Sequence, residues 1–221
     1  MAAPGNVQRL VAVTVPGPAG PLEAVLQTGG DAAPGIAAVV CHPHPLHGGT
    51  LHNKVTHRTA STFLELGAAV LRFNFRGVGK SAGRYDHGAG ELEDARAALA
   101  WLTGRFPAAR RWLAGFSFGS GIAAALAASE PGIERLVLIA PPVRSADFGM
   151  LRSIAVPKLV VQGTADTVCP VEALEREFTY WAEPKQLIRV EGASHFFDTR
   201  LGALAEALRQ GLGAPDPGGG S

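Results

Sequence analysis

Hydrophobic residues along this chain form short continuous runs that alternate with longer stretches in which apolar positions recur every three or four residues. The runs are typical of strands buried on both faces of a sheet, and the periodic stretches are typical of helices. The predicted strands span residues 7–15, 22–27, 36–41, 68–75, 111–114, 136–139, 158–162 and 186–190. The predicted helices span residues 55–66, 91–103, 122–128, 171–181 and 200–212.

The order of these elements predicts an α/β fold. The first two strands meet at a turn rich in Pro and Gly, residues 16–20, and are expected to pair antiparallel. The later strands alternate with helices, so we expect a mostly parallel twisted sheet of seven to eight strands with helices on both faces. Only residues 140–157 connect two of these strands, at a place where a lid domain would need a longer insertion. No lid domain is therefore expected.

The segment Gly115-Phe116-Ser117-Phe118-Gly119 lies between a predicted strand and an Ala-rich predicted helix. A serine on such a sharp turn has a strained backbone and presents its hydroxyl above the edge of the sheet, while the flanking glycines leave room for the turn. We therefore identify Ser117 as the candidate nucleophile. A serine that merely caps a helix does not need glycine on both sides.

A serine nucleophile needs a base, which an acid orients, and in this chain order the acid follows the serine and the histidine comes last. Asp166 and His195 each follow a predicted strand, at the edge where parallel sheets place their ligand-binding loops. Asp147 and Asp198 are competing acids. Asp147 lies in the loop after the preceding strand, whereas Asp198 is only three positions from His195.

Stabilisation of the tetrahedral oxyanion requires two backbone N–H donors. We expect one from Phe118, directly after the nucleophile, and the other from the loop after the strand that ends at Cys41. Proline has no N–H, which excludes Pro43 and Pro45 and leaves His44 and Leu46 as candidates in that loop. Candidate substrate-binding side chains are Leu46, Phe116 and Phe196, although burial in the core is an equally good reading of each phenylalanine.

Five histidines, at positions 42, 44, 47, 52 and 57, raise the question of a metal site. Pro43 and Pro45 stiffen this loop and no acidic ligand lies nearby in the sequence, so no metal is expected. Residues 77–81 resemble the end of a phosphate-binding loop, but Asn74 stands where that motif needs glycine, so no nucleotide cofactor is expected. Arg76 is expected either to pin loops beside the site or to meet an acidic group of the substrate.

The composition narrows the class of protein. With 221 residues, the chain is expected to fold as a single domain, residues 1–212, followed by a flexible tail at 213–221. A net charge of +1 with scattered arginines argues against nucleic acid or an anionic membrane as a partner. No apolar run is long enough to cross a bilayer, the N-terminus lacks a secretory signal pattern, and two cysteines suggest reduced thiols, so a cytoplasmic location is expected. The sequence makes no prediction about oligomeric state.

Three further segments carry a resemblance to a known family, namely His42-Pro43-His44-Pro45-Leu46-His47-Gly48-Gly49, Asn53-Lys54-Val55 and residues 72–81. Together with the serine turn, they make the chain from Val7 to Leu212 resemble the α/β-hydrolase superfamily. More narrowly, it looks like a group of small lidless bacterial serine hydrolases related to dienelactone hydrolases. The resemblance implies an α/β-hydrolase fold, with Ser117 as nucleophile, Asp166 as acid and His195 as base. It also implies His44 as the oxyanion donor of the loop after Cys41, because His44 lies two residues past His42, where the superfamily places that donor, with Leu46 second.

These observations predict a serine esterase that cleaves small carboxylic esters through an acyl-enzyme intermediate and needs no cofactor. Its expected partner is a small-molecule ester. Acyl transfer to an alcohol or amine stays open, as does hydrolysis of thioesters, lactones or amides, because all of these reactions share the tetrahedral oxyanion. A non-catalytic binding module that keeps the same fold is the alternative from another class.

Overall fold

The computed structural model describes residues 8–30 and 33–213. Within these residues the strands are β1 (Gln8–Gly17), β2 (Gly20–Gly29), β3 (Ile36–Cys41), β4 (Ala68–Phe73), β5 (Arg110–Phe116), β6 (Ile133–Ile139), β7 (Lys158–Gly163) and β8 (Lys185–Val190). The α-helices are α1 (Lys54–Glu65), α2 (Ala89–Arg105), α3 (Phe118–Ser129), α4 (Val171–Phe178) and α5 (Leu201–Gly213). The predicted strand start at Val7 and residues 214–221 of the predicted tail lie outside the described residues, whereas Gly213, predicted as the first residue of that tail, ends α5.

The eight strands form one sheet in the order β1-β2-β4-β3-β5-β6-β7-β8. β1 pairs antiparallel with β2, and β2 pairs antiparallel with β4, while all later pairs are parallel. The predicted fold class is confirmed, including the antiparallel opening pair. These described strands and helices make the α/β-hydrolase fold that the resemblance implied.

Side chains of the central strands alternate between two hydrophobic layers. In β3, Ala37 and Val39 pack with residues of α2 and α3, whereas Ala38 and Val40 pack with residues of α1 and α5. Because both faces are covered, strands such as β3, β4 and β7 are buried along their whole length. This explains why they appear in the sequence as mainly apolar runs, unbroken in β3 and interrupted by Arg72 in β4.

The order in which consecutive strands are added to the sheet reverses at β3. β4 lies on one side of β3 and β5 on the other, so the loops that follow β3 and β5 diverge at the carboxyl edge of the sheet. Such a switch point is where open α/β sheets bind their ligands. The candidate oxyanion loop and the serine turn are these two loops.

Two predicted elements are shorter in the structure. β4 ends at Phe73 rather than at residue 75, because the N–H of Phe75 donates to the ring of His42 and not to a neighbouring strand. α4 ends at Phe178 rather than at residue 181, because Tyr180 and Trp181 make turn hydrogen bonds to Glu177 and Phe178.

Residues 140–157, which connect β6 to β7, contain one short 3₁₀ turn, Gly149–Arg152. In the described part of the chain no lid domain covers the carboxyl edge of the sheet, as the short connection predicted. No helix among the described residues combines the length and apolarity needed to cross a membrane.

Candidate active site

Ser117 occupies the sharp turn between β5 and α3. Its backbone angles are φ 52° and ψ −120°, a conformation that costs a non-glycine residue about 1–3 kcal/mol. The N–H of Ser117 donates to the carbonyl of Ile139 at 2.9 Å, which ties the turn to the neighbouring strand. A Cβ at Gly115 would collide with the backbone of Gly119, and a Cβ at Gly119 would collide with the carbonyls of Cys41 and His42. The flanking glycines therefore allow the close approach that the turn requires.

The structure brings Ser117, His195 and Asp166 into one hydrogen-bonded row. Nε2 of His195 lies 3.0 Å from Oγ of Ser117, and Nδ1 lies 2.8 Å from Oδ2 of Asp166. His195 and Asp166 are buried, with relative exposures of 6% and 5%. This geometry lets Nδ1–H donate to the carboxylate, which leaves Nε2 free to accept the proton of the serine.

The carboxylate of Asp166 is held from several directions. Oδ1 accepts hydrogen bonds from the N–H groups of Val168 and Cys169, at 2.8 and 2.7 Å. Oδ2 accepts from Nε2 of Gln162 at 3.0 Å in addition to His195. Gln162 is fully buried in β7, and the sequence interpretation missed it. Its signal was present, since it is an amide within an otherwise apolar buried strand.

Neither competing acid contacts His195. Oδ1 of Asp147 accepts from the N–H of Gly149 at 2.7 Å, and Asp198 pairs with Lys54 and Ser194. The Lys54 partner lowers the pKa of the exposed Asp198 carboxyl. Asp198 thus ties the start of α1 to the loop that carries His195.

The loop after β3 is tightly folded around the candidate oxyanion donor. The carbonyl of His44 accepts from the N–H groups of His47 and Gly49, both at 3.1 Å. The N–H of Leu46 already donates to Nδ1 of His44 at 3.2 Å, so it is not available to a substrate oxygen. Within the described residues, the N–H groups of His44 and Phe118 have no acceptor. Of the two candidates in this loop, His44 is therefore the better placed.

His42 fixes the start of this loop from below. Its ring is fully buried, Nε2 accepts from the N–H of Phe75 at 3.1 Å, and Nδ1 lies 2.6 Å from the carbonyl of Pro43. Burial lowers the pKa of His42 to about 4, so the ring is neutral at pH 7 and can play both roles. The adjacent peptide, which carries the His44 N–H, is thereby oriented.

Two cavities meet at Ser117. The larger, of about 640 Å³, extends along α3 and the loop before β7. The smaller, of about 280 Å³, lies between the oxyanion loop and the His195 loop. His44, His47 and Val168 line both. A substrate bound at Ser117 can therefore extend in two directions.

The three predicted substrate-binding side chains have different surroundings. Phe196 lines the smaller cavity, with its ring centroid 5.1 Å from that of His195. Leu46 is exposed and lines neither cavity. The prediction for Phe116 is wrong, because its side chain has no exposed surface and packs beneath the ring of His195 at 5.1 Å. Side chains that line the larger cavity and were missed include Tyr85, Ile122, Met150 and Val168.

Arg76 pins two segments, as the first of its two predicted roles required. Its Nε and Nη2 donate to both oxygens of Asp94 at 3.0 and 2.8 Å, and its backbone N–H donates to the same carboxylate at 2.9 Å. Asp94 lies in α2 with its side chain fully buried. The loop after β4, which carries Tyr85, is thereby fastened to this helix.

Among the described residues, one group of three candidate metal ligands comes together, formed by Asp166, Cys169 and His195. Burial raises the pKa of the Cys169 thiol to about 12, so it lacks the thiolate that binds metals. Nδ1 of His195 and the carboxylate of Asp166 are already hydrogen-bonded to each other. The histidines of the loop after β3 do not form such a group.

Comparison with known proteins agrees with the fold. Residues 38–152 match the family described as serine aminopeptidase, S33. An uncharacterised protein of Rickettsia prowazekii is 35% identical over 184 residues, which are 79% of this chain and 77% of that protein. A serine hydrolase without a lid from Xanthomonas campestris is 38% identical, with a TM-score of 0.87 over 94% of this chain and 96% of that one. An α/β serine hydrolase homologue from Coxiella burnetii is 42% identical, with a TM-score of 0.87 over 91% and 97% of the two chains.

With its eight-stranded sheet, its serine turn and these relatives, the chain belongs to the serine aminopeptidase S33 family, within the α/β-hydrolase superfamily of serine hydrolases.

Proposed function

We propose that the protein hydrolyses carboxylic esters of small acyl groups, with Ser117 as nucleophile, His195 as general base and acid, and Asp166 as the group that orients the imidazole. The observation that carries this proposal is the row of hydrogen bonds from Ser117 Oγ to His195 Nε2 at 3.0 Å and from His195 Nδ1 to Asp166 Oδ2 at 2.8 Å. The strained turn and the open cavities beside Ser117 support it.

In the first half of the reaction, Oγ of Ser117 attacks the ester carbonyl while Nε2 of His195 takes the serine proton. The developing oxyanion accepts hydrogen bonds from the N–H groups of Phe118 and His44. Each such donor contributes on the order of 3 kcal/mol of transition-state stabilisation. His195 then gives its proton to the leaving alkoxide, and an acyl-enzyme on Ser117 results.

In the second half, His195 accepts a proton from a water molecule that attacks the acyl-enzyme. The second oxyanion uses the same two N–H donors, and its collapse returns the proton to Oγ of Ser117. Asp166 stays ionised throughout and stabilises the imidazolium that forms twice. Because the cavities are open, water reaches the acyl-enzyme without a closing motion, and no activation by a lipid surface is expected.

The test is hydrolysis of p-nitrophenyl acetate and butyrate by the wild-type chain and by Ser117→Ala. We expect kcat to fall by at least about 10³-fold in the variant, because loss of a triad nucleophile removes the covalent route. A fluorophosphonate probe should label Ser117 in the wild type only. Full activity of Ser117→Ala would contradict the assignment, and failure of the probe to label the wild type would favour a binding module.

Two matched assays distinguish ester hydrolysis from amide cleavage and from acyl transfer. Alanine p-nitroanilide measures the amide cleavage that the family description names, and added alcohols or amines measure transfer of the acyl group. We expect the highest kcat/KM for the ester and water as the main acceptor. Transfer that outcompetes water, or faster cleavage of the anilide, would replace the esterase assignment while keeping the same nucleophile.

A further inference from the structure

The two cavities beside Ser117 differ in which catalytic group they adjoin, and this bears on where each half of an ester binds. His195 lines the smaller cavity and is not among the residues that line the larger one. The larger cavity is bounded by Phe118 and the first turns of α3. On the proposed function, His195 must protonate the leaving oxygen, so the alcohol lies in the smaller cavity. The acyl group then lies in the larger one.

The volume of the larger cavity exceeds that of an acetyl group. Its volume of about 640 Å³ is typical of pockets for whole ligands. Apolar side chains of Ile122, Ala125, Met150 and Val168 form much of its wall. These features fit an acyl chain of several carbons.

The hydroxyl of Tyr85 is a polar group in that wall, and its oxygen accepts a hydrogen bond from a histidine ring. The hydroxyl of Tyr85 lies 3.2 Å from Nε2 of His44. Nδ1 of His44 accepts from the N–H of Leu46, so the hydrogen of this neutral ring is on Nε2. Burial lowers the pKa of His44, which keeps the ring neutral near pH 7. The ring therefore donates to the oxygen of Tyr85.

It follows that the hydroxyl hydrogen of Tyr85 is free. A tyrosine hydroxyl has one hydrogen to donate, and its oxygen is already the acceptor for His44. Across residues 8–30 and 33–213 no side chain or carbonyl accepts that hydrogen, and Tyr85 lines the larger cavity. An acyl chain that covered it with carbon alone would leave a desolvated donor without a partner, which lowers affinity.

The position of this donor is fixed by its neighbours. The ring of Tyr85 packs against those of His44, His87 and Phe118, with centroids 5.1, 5.0 and 6.1 Å away. His44 and Phe118 also supply the two candidate oxyanion donors. The ring that carries the hydroxyl is thus held against the two residues that supply these donors.

From these contacts we infer that the preferred substrates are esters whose acyl chain carries a neutral oxygen, as a hydroxyl, ether or keto group, that accepts a hydrogen bond from Tyr85. A carboxylate is a poorer match, because Asp147 lines the same cavity. Tyr85 is a specificity-determining residue for the acyl group in this scheme.

The experiment compares p-nitrophenyl hexanoate with its 3-oxa, 4-oxa and 5-oxa analogues, in the wild type and in Tyr85→Phe. The phenylalanine keeps the ring contacts and removes only the hydroxyl. Comparing the two enzymes on the same pair of esters cancels the effect of the oxygen on the reactivity of the carbonyl. We expect the preference for at least one oxa ester to fall about 5–10-fold in Tyr85→Phe, because kcat/KM for that ester falls relative to kcat/KM for hexanoate, whose chain no longer covers a donor without a partner.

The matched control is Tyr180→Phe, which changes the other tyrosine of the chain, an exposed residue beside Arg152. It should leave every preference as in the wild type. Equal losses on hexanoate and all oxa esters in Tyr85→Phe would overturn the inference, because Tyr85 would then act through His44. So would preferences unchanged within twofold. If hydrolysis of hexanoate itself does not depend on Ser117, the proposed function fails instead, and this inference fails with it.

Discussion

At position 117 the side chain that the proposed reaction needs sits on a backbone that disfavours it. The φ of 52° is suited to glycine, yet only a residue with a Cβ can carry the hydroxyl. The turn persists because the N–H of Ser117 is bonded to Ile139 and the adjoining glycines pack against backbone carbonyls. The strained backbone therefore lowers the free energy of unfolding at the residue on which the proposed chemistry depends.

This strain can be measured with two substitutions at one position. Ser117→Ala keeps the Cβ and hence the strain, whereas Ser117→Gly releases it. We expect the glycine variant to be more stable by about 1 kcal/mol, since strain of about 1–3 kcal/mol exceeds the extra unfolded-state entropy of glycine, about 0.4–1 kcal/mol. Urea unfolding of both variants gives the difference. A glycine variant no more stable than the alanine variant would show that the turn is not strained.

Individual residues also show how far the sequence alone can lead. Ser117, Asp166 and His195 could be found because each follows an apolar run and their order along the chain is characteristic. Tyr85 could not, because its contact with His44 joins positions 41 residues apart, one of them in an irregular loop. Phe116 was misassigned because the predicted strand stopped at residue 114, whereas β5 continues to Phe116, whose ring takes the same buried face as Trp112 and Ala114.

At the scale of elements, irregular segments are held in place by side chains of neighbouring helices and strands. Residues 74–88, which carry Tyr85, are fastened to α2 by the three hydrogen bonds between Arg76 and Asp94. The start of α1 is capped by Asn53, whose side chain accepts from the N–H groups of Val55 and Thr56. Strands were predicted from apolar runs and helices from periodicity, whereas the contact between Arg76 and Asp94 joins positions 18 residues apart and leaves neither signal in the sequence.

The Arg76–Asp94 pair should contribute strongly to stability, because the side chain of Asp94 is fully buried and that of Arg76 is only 12% exposed. We expect Asp94→Ala to lower the free energy of unfolding by about 3 kcal/mol, since it leaves a largely buried cation without its partner. Asp86→Ala is the matched control. That carboxylate is 59% exposed and lies 3.9 Å from Arg76, so its loss should cost less than about 1 kcal/mol. Equal costs in urea unfolding would show that the buried pair does not fasten the loop.

For the whole molecule, the buried imidazole of His42 links folding to pH. Burial lowers its pKa to about 4 in the folded chain, while an exposed histidine has a pKa of about 6.5. Between these values the unfolded chain binds a proton that the folded chain does not. Stability is therefore complete above pH 6.5 and falls as the pH is lowered towards 4.

Between pH 7 and pH 5 this histidine should remove about 2 kcal/mol from the free energy of unfolding, at 1.36 kcal/mol per pH unit. In His42→Asn that part of the pH dependence should be missing, while groups common to both proteins still titrate. Urea unfolding at the two pH values measures the difference. The same pH dependence in both proteins would contradict the assignment. Titration of the His42 ring by NMR in the wild type gives a second test that does not depend on the variant folding.

The connection between β6 and β7 offers a practical route to altered specificity. The positions of its two ends are fixed by β6 and β7, which lie inside the sheet. Met150, which is part of the cavity wall, lies in the single 3₁₀ turn of this connection. Doubling the length of a flexible loop costs only about 0.6 kcal/mol in closure entropy. Libraries of grafted segments at this single position could therefore reshape the binding surface while the sheet and its nucleophile stay as they are.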